Sequence, residues 1–384
     1  MKLADICEIN PRAELLDDNT LVSFVAMPDV SEDGKINVDT HRTYGEVKKG
    51  FTNFKEGDVL FAKITPCMEN GKGALATGLE NGIGFGSTEF HVLRPNAGIV
   101  LGQWLYYLTS WQAFRKDAEK HMTGSAGQKR VPKSFLEKYE VDVPPIDDQK
   151  YQVLQLNRIR KVIDARQQQL SALDDLIKSR FVEMFGDETN PYQWPVVNVE
   201  DVANVSVGVV IKPAQYYTDA EHGVKAFRSL NIGAGTIKDS DWVYFSHEGN
   251  DKNSKSQLRE NDLLIVRSGA PGTACVVPKV YEGCNAIDII IARPETDKVN
   301  PYYLCTYTNL PHGKRQIDEG TGGAAQQHFN VGKYNKLQLM LPPLKQQNEF
   351  VSFLEQIDKS KSVIQKSLDE TQRLFDSLMQ EYFG

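Results

Sequence analysis

At 384 residues the chain has room for two or three domains of the usual roughly 100–200 residues, each with its own core. Its 25% charged and 40% hydrophobic residues exclude a disordered chain, and the lack of any run of about 18 apolar residues excludes a transmembrane helix. The net charge of −7 excludes a basic footprint over the whole chain, so any nucleic-acid binding must come from local patches or from partners.

The start, MKLADICEINPR, carries acids where an export signal needs an apolar stretch. Cys7, Cys67, Cys275, Cys284 and Cys305 form no CxxC pair, which speaks against a zinc ribbon or a disulfide framework and fits a reducing cytoplasm. Residues 1–146 read as a mixed α/β domain. Short β-type runs (LVSFVAM, DVLFAKI, EFHVLRP, YEVDVPP) are separated by Gly and Asn, and Trp104–Ala118 reads as a helix. Pro144–Pro145 stops the last strand, and Asp147 or Asp148 then caps a long helix over 147–186. A turn-rich linker, DETNPYQWPV, covers 187–196. A second domain over 197–344 repeats the pattern with VKAFRSL, DLLIVRS, AIDIIIARP and LQLMLPP, and a second long helix covers 345–384.

The chain is one unit present twice. TGSAGQKRV (123–131) recurs as TGGAAQQHF (321–329) at an offset of 198, which holds without a gap through YEVDVPPIDDQ and LQLMLPPLKQQ. Upstream the offset drifts, and KEGDVLFAK (55–63) matches RENDLLIVR (259–267) at 204. Residues 11–57 and 207–261 barely resemble each other.

The two helices carry matching apolar seams at alternating steps of three and four. In the first, Leu156, Ile159, Ile163, Leu170, Leu173, Ile177 and Met184 form the stripe, broken by Arg166 and Arg180. In the second, Leu354, Ile357, Ile364, Leu368, Phe375, Leu378 and Tyr382 do so, broken by Lys361 and Thr371. Residues 149–186 hold seven bases against four acids, and 347–384 the reverse. Opposite charge on matched helices fits partners of each other, so the expected fold is α+β: two repeated domains whose helices pair as an antiparallel coiled coil. At about 1.5 Å per residue, some 35 residues give a rod of roughly 50 Å.

Two divergent domains, each followed by PP-x-x-x-Q and a long helix, resemble the specificity subunit of type I restriction-modification systems. The T-G-x-A-x-Q loop, the VPP and LPP helix entries and the LDDLIKSRFVEMFGD ending carry the resemblance. It implies that the domains are target-recognition domains reading double-stranded DNA and that the helices form an antiparallel spacer. It also implies two DNA methyltransferase subunits as partners, which bind S-adenosylmethionine and methylate adenine. It implies further that a translocating nuclease subunit using ATP and Mg can join, and that this chain itself holds no cofactor and is not an enzyme. The rival readings are a protein-only scaffold for two partners and a fused methyltransferase or nuclease.

Base reading needs Arg, Lys, Gln, Asn or Ser at loop tips, with further cations for phosphates. Lys63 and Arg267 each end a buried strand and enter a loop containing Gly or Pro; the bland alternative is a surface pair with an acid. In the repeated loop, Gln128, Lys129 and Arg130 match Gln326, Gln327 and His328, with a helix-capping turn as the alternative. Lys72, Arg228, Ser125 and Ser268 are candidates by loop position alone. Several motifs mimic chemistry. Asp29 and Asp33-x-Lys35 stand too close together for a nuclease site, and NGIGFGS (81–87) opens no helix. TNPYQW and VNPYYL lack the second proline of an amino-methyltransferase motif, no P-loop occurs, and the histidines show no metal spacing. Trp242, Tyr244, Phe245, Tyr106 and Tyr107 read as core residues.

Overall fold

The computed structural model describes residues 1–125, 127–187, 189–321 and 329–384. It resolves into two compact units: Met1–Gln168 with Gln365–Gly384, and Gln169–Ile364. Each unit therefore contains one domain and a piece of both long helices. These helices, α1 (Ile146–Phe185) and α2 (Leu344–Phe383), are 40 residues each. The first unit joins the start of α1 to the end of α2, and the second joins the end of α1 to the start of α2, so the pairing is antiparallel.

In the first unit, Cys7–Ile9, Phe90–Pro95, Val59–Ala62 and Gly73–Leu75 form an antiparallel sheet in that order. All four residues of Val59–Ala62 are buried. Val59 and Phe61 join a core with Trp104, Leu105 and Leu108 from the helix Gly102–Ser110, whereas Leu60 and Ala62 join one with Val25 and Phe54. A strand covered on both faces reads as a continuous apolar run, which is why VLFA shows no polar alternation. A second sheet has the order His41–Thr43, Leu21–Val25, Ile83–Gly86, Thr52–Lys55, with its central pair parallel. The spaced glycines of NGIGFGS serve this sheet. A Cβ on Gly84 would lie 2.1 Å from the Phe54 ring, and one on Gly86 would lie 2.1 Å from the Val25 carbonyl.

The second unit repeats the first sheet with Ala203–Val207, Ile289–Pro294, Leu263–Val266 and Ala274–Val276. Its second sheet departs from the repeat. Gly223–Phe227 pairs in parallel with Asn285–Ala286, as Leu21–Val25 does with Ile83–Gly86. The fourth strand, however, is Tyr217–Thr218 on the Val243–Ser246 edge, where the first unit instead adds Thr52–Lys55 on the opposite edge. This is the region in which the two halves of the sequence diverge.

Two polar devices recur in both copies. Asp58, 1% exposed, accepts from Arg94 at 2.9 and 2.7 Å and caps the Lys55 amide; Asp262 does the same with Arg293 and Arg259. The glutamine of PP-x-x-x-Q fastens each long helix to its domain. Fully buried Gln149 accepts from the Leu101 amide and donates to Ile99 and Pro144 carbonyls, while Gln347 accepts from Asn300 and donates to Lys298 and Pro342. The linker is fixed by Trp194, whose indole donates to the Phe185 carbonyl at 3.1 Å.

Replacing either glutamine by leucine strands these buried backbone groups, each costing about 1–3 kcal/mol. Gln149→Leu and Gln347→Leu are each expected to destabilise the chain by about 2 kcal/mol or more in urea unfolding, by similar amounts because their partners correspond.

Candidate nucleic-acid interface

In the first unit, the sheet ends in a stitched set of loops. Lys63 follows the strand Val59–Ala62, its amide donating to the Glu89 carbonyl and its carbonyl accepting from Val131. The loop 123–130 closes by reciprocal bonds between Thr123 and Arg130, at 3.0 and 2.8 Å, and Thr65 donates to the Lys129 carbonyl. Gly124 and Gly127 turn this loop at φ of +125° and +79°, where other side chains would be strained. Ser125, Gln128 and Lys129 are exposed on it. Lys63, Ser125, Gln128, Lys129 and Arg130 are thus brought to one edge.

The charges there are not all free. Arg130 grips Glu89 with two bonds of 2.8 and 2.9 Å, and this holds the Glu89 carboxyl below its usual range. Lys63 is half-buried, and burial, helped by Arg130, lowers its pKa although Glu89 opposes the shift. Beneath them lies buried His91, with one ring nitrogen 3.0 Å from Asn10 Nδ2 and the other 2.9 Å from the Val131 carbonyl. Burial, reinforced by Lys63 and Lys133, pushes its pKa below the ordinary 6.5.

In the second unit Arg267 takes the place of Lys63. Its guanidinium pairs with Asp288 and donates to the Phe329 carbonyl at 3.2 Å. The acid pairing left open by the sequence is therefore present for Arg267, whereas in the first copy the acid is taken by Arg130 and not by Lys63. Ser268 follows, half-buried, into a loop turning at Gly269 and Gly272. Gln326, Gln327 and His328 lie outside the described residues. Two further candidates are held by backbone carbonyls: Lys72, at the far end of the loop that Lys63 begins, donates its ammonium to the Met27 carbonyl at 3.1 Å, and Arg228 donates to the Asp241 carbonyl. Glu89 and Asp288 escaped the sequence reading, although each stands directly before a matched strand, EFHVLRP or DIIIARP.

Of the seam residues, Leu156, Ile163, Leu354, Ile357 and Phe375 are buried, while Ile159, Leu170, Leu173, Ile177, Ile364, Leu368 and Leu378 are half-buried. Seam residues such as Leu156, Leu354 and Phe375 enter the domain cores, and Phe181, Phe185 and Phe383, which the expected stripe lacked, enter them too. Phe181 and Phe185 pack on Tyr303 and Phe350. In the first unit Phe375 meets Tyr107, and Phe383 meets Trp104 and Trp111. Phe181 and Phe185 continue the seam in steps of four from Ile177, so the signal was present. Between the helices of the second unit, Lys361 pairs with Asp174. Among the described residues no cluster of three or more His, Cys, Asp or Glu is placed to hold a metal, and no helix is long and apolar enough to cross a membrane. Tyr106, Tyr107 and Phe245 are buried, and Trp242 and Tyr244 are half-buried.

The pH dependence has a definite sign. The unfolded chain binds a proton on His91 before the folded one, so this residue's contribution is complete above about pH 6.5 and is lost as the pH falls towards the lowered folded value. Amide exchange at Val131, corrected for its intrinsic pH dependence, is expected to quicken between about pH 7 and pH 5, and His91→Gln is expected to remove the change.

A family model described as the type I restriction modification DNA specificity domain matches residues 1–174 and 191–372. The EcoAI and EcoEI type I restriction enzyme specificity subunits of Escherichia coli are each 42% identical to the chain over 175 residues, or 45% of it. Those alignments span only 30% and 29% of the two relatives' own length. The MjaVIII specificity subunit of Methanocaldococcus jannaschii is 18% identical over 278 residues, 68% of this chain and 65% of that one. Two solved structures share the fold over the whole chain. One, from a type I R-M system studied for complex assembly and conformational transition, has a TM-score of 0.58 at 19% identity and is 96% covered. The other, the S subunit of a type I restriction-modification system from M. genitalium, has a TM-score of 0.57 at 12% identity and is 95% covered.

Proposed function

We propose that this chain, which belongs to the type I restriction-modification DNA specificity family, reads a bipartite DNA target, one half with each domain. The observation that carries this reading is one arrangement occurring twice: a buried strand ends in a cation, Lys63 or Arg267, beside an acid, Glu89 or Asp288, and that cation's backbone carbonyl accepts from the amide of Val131 or Phe329. Lys63, Ser125, Gln128, Lys129 and Arg130 would serve the first half-site, and Arg267, Ser268, Gln326, Gln327 and His328 the second, with Lys72 and Arg228 as additional contacts. Glu89 and Asp288 hold the arginines in place, and a phosphate can compete with them for the guanidinium. The helices, each about 60 Å long at about 1.5 Å per residue, would set the gap between halves.

Chemistry belongs to partners in this proposal. Two DNA methyltransferase subunits would dock on the chain and methylate adenine, and a nuclease subunit would cut where one is present. The domain limits 1–146 and 197–344, the spacer helices over 147–186 and 345–384 and the linker 187–196 are proposed as the functional division, in a cytoplasmic complex. Net charge of −7 makes the counterion-release contribution of the chain alone small or adverse. Nanomolar, sequence-specific binding in physiological salt is expected only with methyltransferase subunits present, as gel-shift titration would show; equally tight binding by the chain alone would sink this division of labour.

The second sheets differ between the domains, so the half-sites are expected to be two different sequences. Mapping methylated adenines on DNA exposed to the complex checks this, and a perfect palindrome would contradict it. Grafting residues 197–346 from a relative is expected to change one half-site alone.

Cutting after Gly186 removes the α2 tail that covers Trp104 and Tyr107. Residues 1–186 are expected to pair antiparallel, each copy lending Phe181 and Phe185 to the other, at about 1.5–3 kcal/mol per buried ring. Like charge on the two identical helices opposes this, so added salt should tighten the dimer. Sedimentation at low and high salt checks it, and a strict monomer at tens of micromolar would refute the helix-pairing model.

A further inference from the structure

The helices Gln112–Lys120 and Pro311–Thr321 each turn one cation into their domain. Arg115 is 6% exposed, and no carboxylate pairs with it among the described residues. It donates instead to the carbonyls of Met68, at 2.7 Å, and Lys72, at 3.3 Å, and its guanidinium lies 5.2 Å from the Phe61 ring. Lys314 stands 199 residues on, as Leu310 does from Trp111, so the two cations occupy the same helical step. Half-buried, Lys314 donates to the Pro271 carbonyl at 3.1 Å and to Thr273 Oγ1 at 3.3 Å. The acceptors correspond too: each set lies in the loop that begins with Lys63 or Arg267.

We propose that Arg115 and Lys314 are positioning residues for DNA reading, each fixing the backbone of the loop that presents its own half-site's contacts; this rests on the function proposed above. Arg115, a buried cation without a paired carboxylate among the described residues, is costly, and an apolar side chain would fill its space at less cost. What an apolar side chain cannot do is hold loop carbonyls from the core side. The strand opposite each cation is fitted to it. Gly73 pairs with Phe61, and a Cβ there would lie 3.1 Å from Arg115 Nη2 and 2.8 Å from the Leu60 carbonyl. At the corresponding place, Ala274 pairs with Ile265, and there the cation is the slimmer lysine. Wide head and glycine, narrow head and alanine, occur as matched sets. From Arg115 the restraint reaches the reading edge in few steps. Met68 also accepts from Gly71, its amide donates to Ile64, and Thr65 holds the Lys129 carbonyl. Burial pushes the Arg115 pKa down to about 10, so it stays charged at neutral pH, and burial lowers that of Lys314 although Asp318 opposes the shift.

The test has two readouts. In the full chain without DNA, hydrogen exchange is expected to quicken over residues 64–72 in Arg115→Lys and Arg115→Met, with 267–273 unchanged, and the converse in Lys314→Met. In complexes with the methyltransferase subunits, methylation of the cognate target is compared with targets carrying one wrong base in either half. Arg115→Met is expected to cut discrimination in the first half-site by about tenfold or more, the equivalent of one charged hydrogen bond, leaving the second half-site as it was. Arg115→Lys is expected to recover part of it, and Lys314→Met to spoil the second half-site only. Equal loss in both halves, or unchanged discrimination in folded variants, would overturn the inference. If Arg115→Met fails to fold, Arg115→Lys and Lys314→Met decide by the same two readouts. Absence of site-specific methylation by the unsubstituted complex would instead overturn the function itself, while the exchange result would still judge the loop restraint.

Discussion

Phe181 and Phe185 leave the end of α1 and enter the core of the second domain, while Phe375, Met379 and Phe383 leave the end of α2 and enter that of the first. Neither domain closes its core with its own helix alone. Met379 and Phe383 stand 198 residues after Phe181 and Phe185, so one duplicated tail serves each domain from the other copy's helix. Burying each large ring is worth about 1.5–3 kcal/mol, which makes the exchange a large part of what holds either unit together. The antiparallel course of the helices follows directly, because only that direction delivers each tail to the other copy's domain.

Around these apolar anchors, the polar groups repeat with the same economy. Asp58 with Arg94 and Asp262 with Arg293 tie the first sheet of each domain, and Gln149 and Gln347 fasten each helix entry. Every member finds partners, as buried polar groups must if they are not to cost more than they return. With the frame fixed twice over, the second sheets are left to vary. Their different edge strands, Thr52–Lys55 and Tyr217–Thr218, are where two copies of one domain acquire two different surfaces.

Much of this was legible in the residues. The uninterrupted offset from TGSAGQKRV through the proline pairs announced the duplication, because a packed helix entry tolerates no insertion. The seams of α1 and α2 announced the pairing, because steps of three and four place side chains on one face. What stayed hidden depends on tertiary placement. Phe181 and Phe185 fell outside the expected stripe, since nothing local says that a domain waits there. Arg115 reads as one more charge on an amphipathic helix, because its acceptors are carbonyls some 45 residues away, which carry no side-chain signature. At the candidate interface, the loops that hold Lys63 and Arg267 were found through the repeat. Their acids were not, because Glu89 and Asp288 act by spatial return of a strand and not by spacing in the chain.

The exchange of helix tails is the claim on which the fold, the pairing and the proposed two-reader arrangement all rest, and hydrogen exchange measured along the full chain tests it most directly. Phe181→Ala with Phe185→Ala removes rings attached to the first domain's helix but packed in the second domain's core, at an expected cost of about 3–5 kcal/mol for each ring. The account predicts faster exchange across the sheet strands Leu263–Val266 and Ile289–Pro294, with Val59–Ala62 and Phe90–Pro95 protected as before. Faster exchange in the first domain's strands, with the second domain's unchanged, would contradict it.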